Sequence, residues 1–313
     1  MRWTAAAVVL CAGCAGGLLE GRRPRPVVPV AGGVDHFEDA FEGSGSVRIF
    51  EQRWRPSDAN VRAAVVLVHG LKDHSTRYAE VADRLAQRGY AVHAYDLRGH
   101  GSSGGRRAYV ESFDEYIADL DTFVGQVKQL EPTKPVFVLG HDMGATIALE
   151  WVLQKKPDIA GLVVSGASLH NSSSGFRQFV TRAAGTVLPL LALLSVDVDH
   201  LSQDPAVVQA CKTDPLVEHG NGPARTAREL LRAMDFVDER ESQVRVPILI
   251  LHGGADVLST PAVSRELYGR VGSADKALHV YDGMFHDLWR EPARAKVMQD
   301  LSDWLDLHVA LKS

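Results

Sequence analysis

The sequence predicts an α/β fold: a mostly parallel central sheet, helices on both of its faces, and a helical insertion that forms a lid. Three observations lead there. Short apolar runs alternate with amphipathic stretches, as strands buried on both faces alternate with crossover helices. The alternation stops near Ser168 and resumes at Pro247-Ile-Leu-Ile-Leu251. One apolar run, Val136-Phe-Val-Leu139, feeds directly into Gly140-His-Asp142-Met-Gly144, with a helical stretch from Ala145. That is the strand–elbow–helix context of a nucleophile elbow, whose glycines allow a tight turn and a strained central residue.

Taken in order, Phe37–Phe41 and Val47–Trp54 flank a Gly-Ser-Gly turn and read as an antiparallel hairpin at the sheet edge. Strands follow at Ala64–Val68, Ala91–Tyr95, Val136–Leu139 and Gly161–Val164, separated by helices over Arg77–Arg88, Ser112–Leu130 and Ala145–Gln154. After the insertion come strand Pro247–Leu251, helix Ala262–Val271, strand Leu278–Tyr281 and a last helix, Ala293–Leu311. This divides the chain into a core of residues 36–167 and 243–313 and a lid of residues 168–242. Within the lid, Phe176–Ser195 reads as an apolar helix and Gly222–Phe236 as an amphipathic one. Phe176, Phe179, Val187, Leu188, Leu190, Leu191, Leu193 and Leu194 supply more apolar surface than one packing stripe needs. Leu190 and Leu194 are expected to meet an acyl chain.

The chain has 313 residues, 45% hydrophobic, with a net charge of −5. Such a balance gives no electrostatic case for binding nucleic acid. At the N-terminus, Arg2 precedes the apolar run Ala5–Leu10, which is too short to span a bilayer and reads as an export signal. Cys11-Ala-Gly-Cys14 resembles a bacterial lipobox, so residues 1–14 are expected to be a lipoprotein-type signal peptide. The exported protein would then be membrane-anchored at Cys14. Residues 15–35, rich in Gly, Pro and Arg, read as a flexible tether. With Cys11 removed and Cys14 lipidated, only Cys211 remains, so no disulfide is expected. No His or carboxylate pattern has zinc spacing, and no cofactor or metal is expected.

Three residues carry the chemistry, in the order nucleophile, acid, histidine. Asp142 stands at the elbow. Asp256 lies in the loop after strand Pro247–Leu251, and His286 in the loop after strand Leu278–Tyr281. All three fall at the carboxyl ends of parallel strands, where open α/β sheets bind ligands. Asp256 would hold the His286 imidazole in one tautomer and stabilise its cation. The backbone amides of Leu71 and Met143 are the natural oxyanion donors. His69, His74, His100 and His141 sit in tight loops and read as loop-shaping residues.

The stretches His69-Gly-Leu-Lys-Asp-His74-Ser-Thr-Arg77-Tyr78, Asp96-Leu-Arg-Gly-His100-Gly-Ser-Ser-Gly104 and Gly140-His-Asp-Met-Gly144 resemble the monoacylglycerol lipase and lysophospholipase (serine aminopeptidase S33-like) branch of α/β-hydrolases. So do the lid stretches Leu201–Pro205 and Thr213–Val217. The resemblance implies an α/β-hydrolase fold and hydrolysis of a small lipid-like carboxylic ester. One residue departs from it: the family carries Ser where this chain has Asp142. Gly-His-Asp at the elbow is similar to epoxide hydrolases and haloalkane dehalogenases. An aspartate is ionised near neutral pH, its ordinary pKa being about 3.9, and can attack an sp³ carbon to form an alkyl ester. Yet between Leu169 and Ser242 the lid holds no Tyr or Trp of the kind those enzymes use to activate a ring oxygen or hold halide. Three readings therefore stand: a lipid-ester hydrolase with an Asp142-His286-Asp256 triad, an epoxide or haloalkane hydrolase working through alkyl-Asp142, and a weak or inactive acyl-binding pseudoenzyme.

Overall fold

The structure, a computed structural model, describes residues 25–30, 33–58, 60–169 and 175–311. The export signal, Cys11 and Cys14 lie outside the described residues. A hairpin leads into the core: β1 (Arg25–Val30), β2 (Val34–Glu42) and β3 (Arg48–Pro56) pair antiparallel in sequence. Then β4 (Ala63–Val68), α1 (Ala79–Gln87), β5 (Tyr90–Tyr95), α2 (Asp114–Leu130), β6 (Val136–His141), α3 (Met143–Lys155) and β7 (Gly161–Ser165) alternate. The lid holds α4 (Gly175–Val187), β8 (Ala192–Leu194), α5 (Pro205–Thr213), β9 (Gly222–Pro223) and α6 (Ala224–Asp238). The core closes with β10 (Ile248–Gly253), α7 (Pro261–Arg270), β11 (Lys276–Tyr281) and α8 (Arg294–Ala310).

Among the described residues the sheet has nine strands, in the order β1-β2-β3-β5-β4-β6-β7-β10-β11. From β5 to β11 every neighbouring pair is parallel. Alternate residues of one strand feed two cores. Ala64, Val66 and Val68 pack with α2 and α3 on one face. Val65 and Leu67 pack with α1 and α8 on the other. This is the period-2 geometry of a strand covered on both sides. The lid rides on the first face, where Leu230, Ala233 and Val237 of α6 join that core. Among the described residues no helix is long and apolar enough to cross a membrane.

Two expectations are corrected. The stretch read as a tether contains β1, whose prolines are tolerated because it is an edge strand with a register shift between Pro26 and Val28. The apolar run from Phe176 is not one helix to Ser195. Helix α4 ends at Val187, two residues before Pro189, which cannot continue it. The chain then turns into β8, which pairs with β9.

The crossing of β4, β6 and α3 is the tightest part of the fold. A Cβ on Gly144 would come within 2.2 Å of the Val68 carbonyl oxygen, and one on Gly140 within 2.4 Å of the Gly144 carbonyl. Both obstacles are backbone and cannot swing away. Gly144→Ala is therefore expected to cost about 1–3 kcal/mol of stability, read from denaturant unfolding. An unchanged midpoint would show that the elbow does not depend on this contact.

Candidate active site

Asp142 sits between β6 and α3 with φ 51° and ψ −119°, a left-handed conformation that side chains rarely adopt. Its amide donates to the Ser165 carbonyl at 3.0 Å, and its carbonyl accepts from the Ala145 amide at 3.1 Å. These bonds hold the strained residue in place and push its side chain out above the sheet. The carboxylate lies at the start of α3, where free helix amides and the helix dipole favour negative charge. The Leu71 amide donates to Oδ2 at 2.9 Å. The Ser168 hydroxyl donates to Oδ1 at 2.5 Å. Met143, the other expected oxyanion donor, supplies the first amide of α3. Gly70 makes the approach possible, since a Cβ there would meet Oδ2 at 2.9 Å.

Asp256 and His286 come to the same place from the loops after β10 and β11. His286 Nδ1 bonds Asp256 Oδ2 at 2.7 Å, leaving Nε2 turned toward Asp142 Oδ1 at 3.8 Å. The other Asp256 oxygen accepts from the amides of Leu258 and Ser259. His252 Nε2 donates to the Ser259 carbonyl at 2.7 Å and lies 3.2 Å from Asp256 Oδ2. Burial opposes the Asp256 charge, but the hydrogen bonds from His252 and His286 outweigh it and hold the carboxyl well below its usual range. For His286, burial favours the neutral ring. The hydrogen bond and charge of Asp256, then the charges of Asp142 and Asp287, overcome it and push the imidazole up to about 9. His286 thus carries its proton at neutral pH.

The histidines read as loop-shaping are placed as follows. The buried His69 accepts from the Leu97 amide at Nε2, so its Nδ1 donates to Gly70 O and joins two loops. His100 bonds the Arg98 carbonyl. His74 Nε2 meets Asp214 Oδ2 at 3.0 Å and ties the core to the lid. His141 stacks obliquely on His286, ring centres 5.0 Å apart. Burial and then the His286 charge lower it to about 4. A neutral ring so placed packs against the His286 imidazole.

Above these groups lies a cavity of about 770 Å³ between core and lid. Asp142, His286, Ser168 and Lys72 line its polar part, and Leu194, Val217, Leu230, Leu231 and Met234 line its apolar part. Of the two lid residues expected to meet an acyl chain, Leu194 lines this cavity. Leu190 does not; it lies on the lid exterior, 50% exposed, because the turn at Pro189 carries it outward. It shares that exterior with Phe179, Val187, Leu188 and Leu191. Sequence reasoning passed over Ser168 and His252. Ser168 stands just beyond the carboxyl end of β7 and His252 is the penultimate residue of β10, and that place at a strand's carboxyl end is the one signal that could have marked them. The cavity leucines of α6 were visible only as an amphipathic stripe.

Comparison with known proteins gives the family and the fold. The family model described as "Serine aminopeptidase, S33" matches residues 59–293. A monoacylglycerol lipase of Mycolicibacterium smegmatis is 37% identical over 274 residues, covering 87% of this chain and 98% of that protein. A human monoglyceride lipase is 31% identical, covering 84% and 88%. The crystal structure of Paleococcus ferrophilus monoacylglycerol lipase superposes with a TM-score of 0.74 at 25% identity, over 87% of this chain and 99% of that one. The chain belongs to the serine aminopeptidase S33 family of α/β-hydrolases and is a monoacylglycerol lipase-like enzyme of that fold.

Proposed function

We propose that the protein hydrolyses a single-chain lipid ester of the monoacylglycerol type, with Asp142, His286 and Asp256 as its charged catalytic groups. The observation that carries this reading is the cavity: Leu194, Leu230, Leu231 and Met234 of the lid line the same space as Asp142 and His286, with Asp256 bonded to His286 beneath it. An acyl chain fits the first part and an ester group the second. The relatives named as monoacylglycerol lipases support the same substrate class. Asp256 fixes His286 so that Nε2 is the working end. Attack by the Asp142 carboxylate on an acyl carbon would have to expel an alkoxide and leave a mixed anhydride, an unfavourable exchange. Direct activation of water by His286 needs the imidazole neutral, a minor form below pH 9. Turnover of the ester by either path is slow compared with that of a serine at the same elbow.

A second reading rests on one contact. The Leu71 amide already holds Asp142 Oδ2. That is where an oxyanion would form if an alkyl-Asp142 ester were hydrolysed. This supports opening of an epoxide or haloalkane, with Oδ1 as the attacking atom. The two readings part on a single variant. Under the ester reading, Asp142→Ser supplies a hydroxyl that His286 can deprotonate and removes one of the charges that, after Asp256, keep His286 protonated. Hydrolysis of monooleoylglycerol should then rise by ~10² or more. Under the alkyl reading the same variant loses all turnover of epoxide or haloalkane, and the wild type incorporates ¹⁸O from labelled water into Asp142. Silence of both proteins on every substrate would favour an acyl-binding protein without turnover.

We also propose that the mature protein is anchored through lipid on Cys14. The reading is supported by the apolar run Ala5–Leu10 and the small residues before Cys14. Cys14→Ser is expected to move the protein from the membrane fraction to the soluble one. Continued detergent-sensitive sedimentation of the variant would refute it.

A further inference from the structure

The elbow lacks the hydroxyl that an acyl-transfer route needs, but a hydroxyl stands next to it. Ser168 lines the cavity, three residues beyond the end of β7. Its Oγ donates to Asp142 Oδ1 at 2.5 Å. That same oxygen lies 3.8 Å from His286 Nε2. The backbone that presents Ser168 is fixed from two directions. Thr146 Oγ1 in α3 donates to the Ser168 carbonyl at 2.6 Å. Ser259 Oγ, in the loop that carries Asp256, donates to the neighbouring Ala167 carbonyl at 2.7 Å. Gly166 lets this turn pass under the imidazole: its φ is 55°, and a Cβ there would come within 3.2 Å of His286 Cε1. The hydroxyl is thus held by α3 and by the Asp256 loop, the same elements that hold the catalytic charges.

We propose that Ser168 is the acyl acceptor of this enzyme, with Asp142 as its general base and His286 as its general acid. The proposal rests on the ester reading and replaces both slow paths given above. In acylation, Ser168 Oγ bonds to the ester carbonyl carbon while its proton passes to Asp142 Oδ1. The bond from carbonyl carbon to alcohol oxygen breaks, and the leaving oxygen takes the proton from His286 Nε2. The proton on Asp142 then moves to His286, which restores the carboxylate and the imidazolium. In deacylation, a water oxygen bonds to the acyl carbon and gives a proton to Asp142. The bond from acyl carbon to Oγ breaks, and Oγ takes a proton from His286. A second transfer from Asp142 to His286 resets the site, leaving one acid and one alcohol for each ester and water consumed. The route uses the charge states that the site itself favours. An imidazole raised to about 9 is a poor base at neutral pH but is fully charged as an acid.

The test is labelling by an alkyl fluorophosphonate followed by peptide mapping, with monooleoylglycerol kinetics on the same samples. The expected result is one phosphonyl adduct, on Ser168, absent from Ser168→Ala. That variant should lose kcat by ~10² or more with little change in KM. Ser168→Cys, which keeps a nucleophile of similar size, should regain an adduct at that position. The wild-type kcat/KM should fall as pH rises through about 9, whereas direct water activation by neutral His286 would make it climb to that pH. An adduct elsewhere, or a Ser168→Ala variant within tenfold of wild type, overturns the assignment and leaves the ester reading standing. A wild type labelled on Ser168 that hydrolyses no monoacylglycerol does the reverse: the nucleophile stands and the ester reading falls.

Discussion

A carboxylate pinned at a strained elbow governs this active site. Asp142 takes a left-handed backbone conformation that only the packing of β6, α3 and the loop after β4 can hold. Its two oxygens are committed to different neighbours, one to the Leu71 amide and one to the Ser168 hydroxyl. Its charge is felt by His286, already raised by Asp256. A serine at this point would leave the imidazole as a base waiting for a proton. In the route proposed above the aspartate inverts that arrangement, with the imidazole as the proton donor and the elbow residue as the base. The same coupling has a thermodynamic side. The folded-state value of His286 lies above its ordinary one of about 6.5. Its pairing therefore contributes stability that is complete below that pH and is lost as pH rises through about 9.

The sheet was legible in the sequence because its strands are buried on both faces. Runs such as Ala64–Val68 and Val136–Leu139 admit no other reading once helices flank them, and the structure lengthens each only at its ends. The order Asp142, Asp256, His286 was legible because each residue follows a strand, and strand ends place residues without knowledge of distant contacts. What was not legible depends on contacts across the chain. Ser168 is an ordinary serine until β7 and β6 bring it beside Asp142. His252 is a residue inside a strand until the loop after β10 folds back to meet it. The lid boundary at Pro189 was a local signal outweighed by the strength of the apolar run around it. The strand β1 was hidden by its prolines, which only an edge position tolerates.

The lid divides its apolar residues between two jobs. Leu194, Leu230, Leu231 and Met234 face inward to the cavity, and α6 fastens the lid to α3 through the shared core. Phe179, Val187, Leu188, Leu190 and Leu191 remain exposed on the outside. The polar anchors lie nearer the elbow. His74 reaches Asp214, and Lys72 Nζ donates to the Gly220 carbonyl, so the loop carrying Leu71 is tied to the lid segment above it. The amide that holds Asp142 Oδ2 is therefore positioned from both the core and the lid.

The most direct measurement is the titration of the His286 imidazole, followed by ¹⁵N NMR in the wild type and in Asp142→Asn. A site organised by the Asp142 carboxylate predicts a wild-type midpoint near 9 and a clear downward shift when that charge is removed. A midpoint near the ordinary value of about 6.5, unchanged by the substitution, would contradict it.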